Sequence, residues 1–173
     1  MILDAAVSQL SVNQAITATA TSTGVYDTAG LGVGQPVTNL FGIQSANFGD
    51  DLGGGGPNAS APQLGVFINT AFTAGGAATL TVQLQAAVDT NNTGTPGTWD
   101  TIMQSGAIPV ANLVGDATRP VCSFTVPDRF PGQSFPRFYR LNYVVATGPF
   151  TAGNLSAGFL TGIDDVPFYG SRF

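Results

Sequence analysis

Apolar and polar residues alternate most regularly in two stretches, residues 137–164 and 79–88. In the first, Tyr139, Leu141, Tyr143 and Val145 fall on one side, and Phe138, Arg140, Asn142 and Val144 on the other. A period of two belongs to a strand with one buried face. The connection that follows holds Gly148, Pro149 and Gly153, residues suited to a reversal. Leu155, Ala157 and Phe159 then oppose Asn154, Ser156 and Gly158. Two alternating arms about a short connection predict an antiparallel hairpin. In 79–88, Leu80, Val82, Leu84, Ala86 and Val88 alternate with Thr79, Thr81, Gln83, Gln85 and Ala87. Burying one of the large side chains stabilises by about 1.5–3 kcal/mol. A one-residue slip would move the whole apolar set into water, so the register is expected to be firm.

The rest of the chain yields shorter elements. Residues 1–12 read as an extended arm. Residues 15–21 form a strand, with Ile16, Ala18 and Ala20 against Thr17, Thr19 and Thr21, and 24–27 continue it or open the next. Residues 64–72 form a strand with Leu64, Val66 and Ile68 on one face, and Gly75-Gly76 is a hairpin turn into 79–88. Residues 99–103 and 121–126 are further strands. Residues 108–113 suit a short helical turn, or, with Pro109, a sheet edge. Residues 31–62 hold Gly32, Gly34, Pro36, the run from Gly53 to Gly56, Pro57 and Pro62. They read as a long irregular loop, a kind that usually has a function or folds on a partner, though 37–41 suit a short strand within it. About eight short strands in 173 residues predict an all-β fold: one antiparallel β-sandwich domain of jelly-roll type spanning 1–173, with extended N- and C-terminal arms, the latter at 165–173.

Composition sharpens this picture. Charged residues make up 9% of the chain, against about 25% in typical soluble domains. All basic residues are Arg and all acidic ones Asp; Lys, Glu and His are absent. Without Lys and Glu, long exposed helices are not expected. Strand edges are usually defended by such charges. The edges are therefore covered, or occupied by other chains as in a small homo-oligomer, or else the surface is simply polar without charge. A net charge of −5 argues against nucleic acid, which needs a basic patch. No apolar run approaches the ~20 residues of a membrane-spanning helix, and residues 1–10 show no targeting signal.

Candidate chemistry is sparse. Cys122, alone in the chain, reads as a small hydrophobe on a strand, since a catalytic thiol wants a His base. Asp50-Asp51 and Asp164-Asp165 lack the alternating spacing of a Ca²⁺ loop. The glycine run 53–56 lacks the context of a phosphate loop. No catalytic, metal or cofactor site is expected, and the chain does not read as an enzyme. Trp99, Tyr26, Tyr139 and Tyr143 offer an alternative, a sugar-stacking face on a head-fibre or receptor-binding jelly roll, although three of the four sit in strand patterns as core.

A resemblance rests on the strand 79–88 ending in Ala-Val-Asp89, on Trp99-Asp-Thr-Ile-Met-Gln-Ser-Gly-Ala-Ile-Pro-Val-Ala-Asn-Leu113, on Arg137-Phe-Tyr-Arg-Leu-Asn-Tyr143 and on Thr151-Ala-Gly-Asn-Leu-Ser-Ala-Gly158. Together with Met1-Ile-Leu-Asp4 and Gln14-Ala-Ile-Thr-Ala18, these resemble the capsid cement (decoration) proteins of tailed bacteriophages, of the Bordetella-phage type. The resemblance implies a structural virion protein assembled in the host cytoplasm. It would clamp the major capsid protein from the outer capsid surface. The tail 166–173 carries Phe168, Tyr169, Arg172 and Phe173; aromatics and Arg anchor interfaces. These four, with Ile2 and Leu3, are the expected capsid or inter-subunit contacts.

Overall fold

The structure, a computed structural model, describes residues 9–27, 63–89, 94–126 and 136–160. Ten strands follow in order: β1 (Gln9–Ala15), β2 (Ala20–Thr21), β3 (Tyr26–Asp27), β4 (Gln63–Ala74), β5 (Thr79–Ala87), β6 (Trp99–Gln104), β7 (Ile108–Pro109), β8 (Cys122–Thr125), β9 (Phe138–Ala146) and β10 (Phe150–Leu160). Among the described residues a single 3-10 turn, Val110–Asn112, lies between β7 and β8. Both readings of 108–113 are thus met, first an edge strand and then a helical turn.

Two antiparallel sheets form, one in the order β1-β10-β4-β8 and one in the order β2-β9-β5-β6, with β3 also on β9 and β7 also on β5. The short pairs β2/β3 and β6/β7 each fill one strand position, which leaves eight. Successive strands change sheet at every connection except β5 to β6. That path is a jelly-roll sandwich.

The expected hairpin is corrected here. β9 pairs with β5 and β10 with β4, so the two arms lie in different sheets and face each other across the core. Period-two alternation fixes which face of a strand is buried, and that much holds. It does not fix the partner. An apolar face on each of two successive arms is satisfied equally well when the arms stack face to face. Gly75-Gly76 likewise carries the chain from β4 to β5 across the core. The expected strand 15–21 is also corrected, because β1 ends at Ala15 and Ile16 turns into the core before β2 begins. The arm read over 1–12 gives up residues 9–12 to β1.

The core lies between the sheets. Leu80, Val82 and Leu84 of β5, Leu141 and Tyr143 of β9, Leu64 and Val66 of β4, and Leu155 and Ala157 of β10 are all fully buried. Gly153 lets β10 keep this arrangement. Its φ of 138° is open to glycine, and the pairing of β10 with β4 shifts register on either side of it. The resulting bulge turns both Phe150 and Leu155 inward although they are an odd number of residues apart.

The edges explain how an almost uncharged sandwich avoids open pairing. β1 carries two irregularities against β10, the second of them holding Asn13 at φ 45°. β6 is bulged against β5, β8 has four residues, and β2 and β3 have two each. Short and bulged edges are blunted without charge. The exposed Val12 and Val114 sit at opposite flanks of the first sheet and form no patch.

Candidate interaction surface

The strand registers give the sandwich two unlike ends. Gln9 lies opposite Gly158, and Gln63 lies between Leu160 and Thr125. In the second sheet Asp27 and Ala87 both flank Phe138, and Ala87 faces Trp99. The rings of Tyr26 and Phe159, 4.7 Å apart, join these two margins. One end of the sandwich therefore gathers the starts of β1, β4, β6 and β9 and the ends of β3, β5, β8 and β10. It is called the open end, since residues 1–8, 28–62, 90–93, 127–135 and 161–173 all attach to it. At the closed end the connections 16–19, 75–78 and 147–149 are short, and the turn 110–112 opens a longer run, 110–121, that returns beside β4 to β8.

The open end is braced by Arg137. Its Nε and Nη2 donate to Oδ1 and Oδ2 of Asp27 at 2.7 and 2.9 Å, and its Nη1 donates to Oδ2 of Asp89 at 2.7 Å. The Gly94 amide donates to the same Asp89 oxygen at 2.8 Å. The Asp89 side chain is 6% exposed. One guanidinium thus ties the last residue of β3, the approach to β9 and the connection between β5 and β6. The fork of Arg suits this two-carboxylate geometry, which the single point charge of Lys cannot reproduce. The bonds to Asp27 push the Arg137 pKa above its ordinary value, against a smaller opposing effect of burial.

Beside this brace lies the outer face of the second sheet. Phe138 and Ala87 point away from the core yet are buried, with the Arg137 guanidinium 5.0 Å from the Phe138 ring. Arg140 lies 4.2 Å over the Trp99 ring, and its Nε donates to Gln85 Oε1 at 2.8 Å. Burial lowers the Arg140 pKa from its ordinary value. Further along, Asn142 donates to Gln83 and Gln83 to Gln104, at 2.8 and 3.3 Å. Side-chain amides here satisfy one another across three strands, which is how the face stays polar with little charge.

Several sequence readings can now be placed. Tyr26, Tyr139 and Tyr143 are core residues, and Trp99 stacks against Arg140, so the four aromatics make no common sugar-stacking face. The Tyr143 hydroxyl shares a 2.7 Å hydrogen bond with buried Ser11, which links the two sheets. Burial raises the Tyr143 pKa and pushes that of Tyr139 up to about 12. Cys122 packs partly buried against the core, and burial pushes its thiol up to about 12, so it is uncharged at neutral pH. The described residues contain no group of three or more His, Cys, Asp or Glu side chains placed to hold a metal ion. No helix among them is long and apolar enough to cross a membrane. The expected contacts Ile2, Leu3, Phe168, Tyr169, Arg172 and Phe173 lie outside the described residues, as do 31–62, Asp50-Asp51 and Asp164-Asp165. The brace Arg137–Asp27–Asp89 was missed by sequence reasoning, because its members are 110 and 48 positions apart. Its one trace in the sequence is the scarcity of charge, which makes each remaining Arg worth following.

The Bbp16 family model matches residues 10–159, the sandwich from β1 to β10. The chain belongs to the Bbp16 family. The family name points to a Bordetella phage protein. A search of curated proteins returned no match. Membership in this phage-related family agrees with the resemblance drawn from the strand 79–88 and the segments 99–113 and 137–158.

Proposed function

We propose that this protein is a non-enzymatic structural component of the virion. It binds the outer surface of a tailed-phage capsid and cements neighbouring major capsid protein subunits against internal pressure. The observation that carries this reading is the extent of the Bbp16 match, which runs through all ten strands. A jelly roll whose polar groups are largely spent on its own ladders and brace supports a role in binding rather than in chemistry. The head-fibre alternative loses its aromatic platform, since three of the four rings are buried in the core. A small closed homo-oligomer, a dimer or trimer on the shell, is part of the proposal, although the bulged and short edges do not require one. The test uses virions with and without this chain. Virions lacking it are expected to lose DNA at lower temperature and under milder osmotic shock. Equal resistance of the two particles would remove the cementing role.

A further inference from the structure

We infer that the outer face of the second sheet is a capsid-contacting surface, and that Arg140, laid across β5 onto Trp99, receives an Asp or Glu carboxylate of the major capsid protein there. The inference rests on the proposed capsid binding and adds the contact.

Three strands build the spot. Arg140 of β9 faces Gln85 of β5, and Gln85 faces Thr101 of β6. In the next outward-facing row, Phe138, Ala87 and Trp99 stand side by side. The small Ala87 leaves room for the Arg140 side chain to cross β5 and lie 4.2 Å over the Trp99 ring. Gln85 fixes it there. Its Oε1 accepts from Arg140 Nε at 2.8 Å, and its Nε2 donates to Thr101 Oγ1 at 3.3 Å.

The guanidinium is held but not neutralised. Of its N–H donors, Gln85 takes the one on Nε. Among the described residues no carboxylate and no further acceptor meets those on Nη1 and Nη2. Arg137, by contrast, is bonded to two carboxylates. Asp100 adjoins Trp99 but stands in register with inward-facing Ala86, and makes no bond to Arg140. Burial lowers the Arg140 pKa, and no neighbouring acid opposes it. A partly buried charge without a counterion is costly, and a carboxylate brought by a partner would remove that cost.

The arrangement also selects the ligand. The paired Nη donors of one planar group match a carboxylate in bidentate fashion. Stacking and the Gln85 bond have already fixed a side chain that would otherwise lose its freedom on docking. Trp and Arg are residue types on which interface energy concentrates. Beside them the amides of Gln83, Asn142 and Gln104 satisfy one another, so the surround adds no competing charge. A polyanion is disfavoured, because the two carboxylates of the brace lie nearby and the net charge is −5. A single acidic side chain on a protein surface fits.

The test uses the full-length chain and capsids lacking it. The chain has no Lys, so Arg140→Lys gives it one side-chain amine, which a carbodiimide can join only to a carboxylate within direct reach. Arg119→Lys and Arg119→Met, at an exposed arginine of the 110–121 connection, are the controls. Arg140→Met keeps part of the stem over Trp99 and removes the charge. Its capsid affinity, read by co-sedimentation, is expected to fall at least about tenfold, with Arg119→Met unchanged. Arg140→Lys on the particle is expected to give a cross-link from position 140 to an Asp or Glu of the capsid protein, located by mass spectrometry, and Arg119→Lys none. The cross-link decides the matter if Arg140→Met loses its thermal transition. Equal binding by Arg140→Met and the unsubstituted chain overturns the contact and leaves the capsid reading intact. So does an equal loss in Arg140→Met and Arg119→Met, or a cross-link at 119 and none at 140. A cross-link from 140 to a second copy of this chain assigns the face to self-association and overturns the inference. Failure of the unsubstituted chain to co-sediment removes the partner, and the inference with it.

Discussion

The closed and open ends of the sandwich are held by different forces. At the closed end the Phe150 ring meets Phe72 edge-on at 4.9 Å, and Phe72 lies over Gly153 so closely that a Cβ there would stand 2.3 Å from its ring. Backbone bonds finish the closure, from Ile16 to Gly153 and from Phe150 to Thr17. At the open end a guanidinium and two carboxylates tie three termini of the second sheet, beside the Tyr26–Phe159 contact between the sheets. The first arrangement depends on shape and is indifferent to salt. The second depends on charge and is screened as ionic strength rises. Short connections let neighbouring residues supply their own fit. Where long connections intervene, the termini need directional bonds to find each other.

The largest effect is expected from Leu84→Asp, which strikes the apolar layer that both ends share. Leu84 is fully buried, and a carboxylate there has no partner. The loss of burial and the unpaired charge together cost roughly 5 kcal/mol or more, comparable to the whole stability of a typical domain, about 5–15 kcal/mol. The cooperative thermal transition is expected to vanish; its survival would mean that β5 turns its other face inward. Gly153→Ala comes next and strikes the closed end alone. It combines an unfavourable φ with a clash against Phe72, and a loss of roughly 2–6 kcal/mol is expected. Urea unfolding at low and high salt should give the same loss. A midpoint equal to that of the unsubstituted chain would show that the bulge can relax.

These two sites also mark how far the sequence could be read. The inward faces of β5, β9 and β10 were legible because alternation is a local signal and burial obeys it. The all-β class followed from the absence of Lys and Glu, which exposed helices would use. Strand partners were not legible. Arms around residues 147–153 look the same whether they pair side by side or face each other across a core. Gly153 was read as part of the reversal, yet it works within β10, three residues beyond Phe150. At the open end almost nothing was legible, since Arg137 finds Asp27 and Asp89 only through the completed topology.

A third effect follows from Tyr139, which is 5% exposed toward the open-end half of the core. Its pKa rises from 10.0 to about 12 because burial disfavours the phenolate. The unfolded chain therefore releases this proton first. Stability from Tyr139 is intact below pH 10.0 and falls as pH rises toward about 12. Tyr143 shifts in the same direction and adds to the loss. Chemical unfolding across this range, followed with phenolate absorbance, should show the two changes together. Tyr139→Phe should flatten the decline. Phenolate formation near the ordinary tyrosine pKa with the fold unchanged would mean that water reaches the ring, and that the open end is less tightly closed than the Tyr26–Phe159 contact suggests.

The smallest effect, and the one that separates the ends most sharply, is expected from Arg137→Met. Methionine keeps some of the aliphatic stem and removes the fork. The Arg137 and Asp27 side chains are 28% and 21% exposed, so their pair alone contributes modestly. Asp89 is different. At 6% exposure it would keep the Gly94 amide but lose the Arg137 guanidinium. Between the surface and buried limits, a loss of about 1–3 kcal/mol is expected. Arg137→Lys should recover only part of it, because an ammonium cannot hold both oxygens of Asp27 while reaching Asp89. Salt supplies the decisive contrast with Gly153→Ala. Added salt should narrow the gap between Arg137→Met and the unsubstituted chain, as the brace is screened, and should leave the Gly153→Ala gap unchanged. If the two gaps respond alike, the brace contributes through packing over Phe138 instead of charge, and both ends are held by shape.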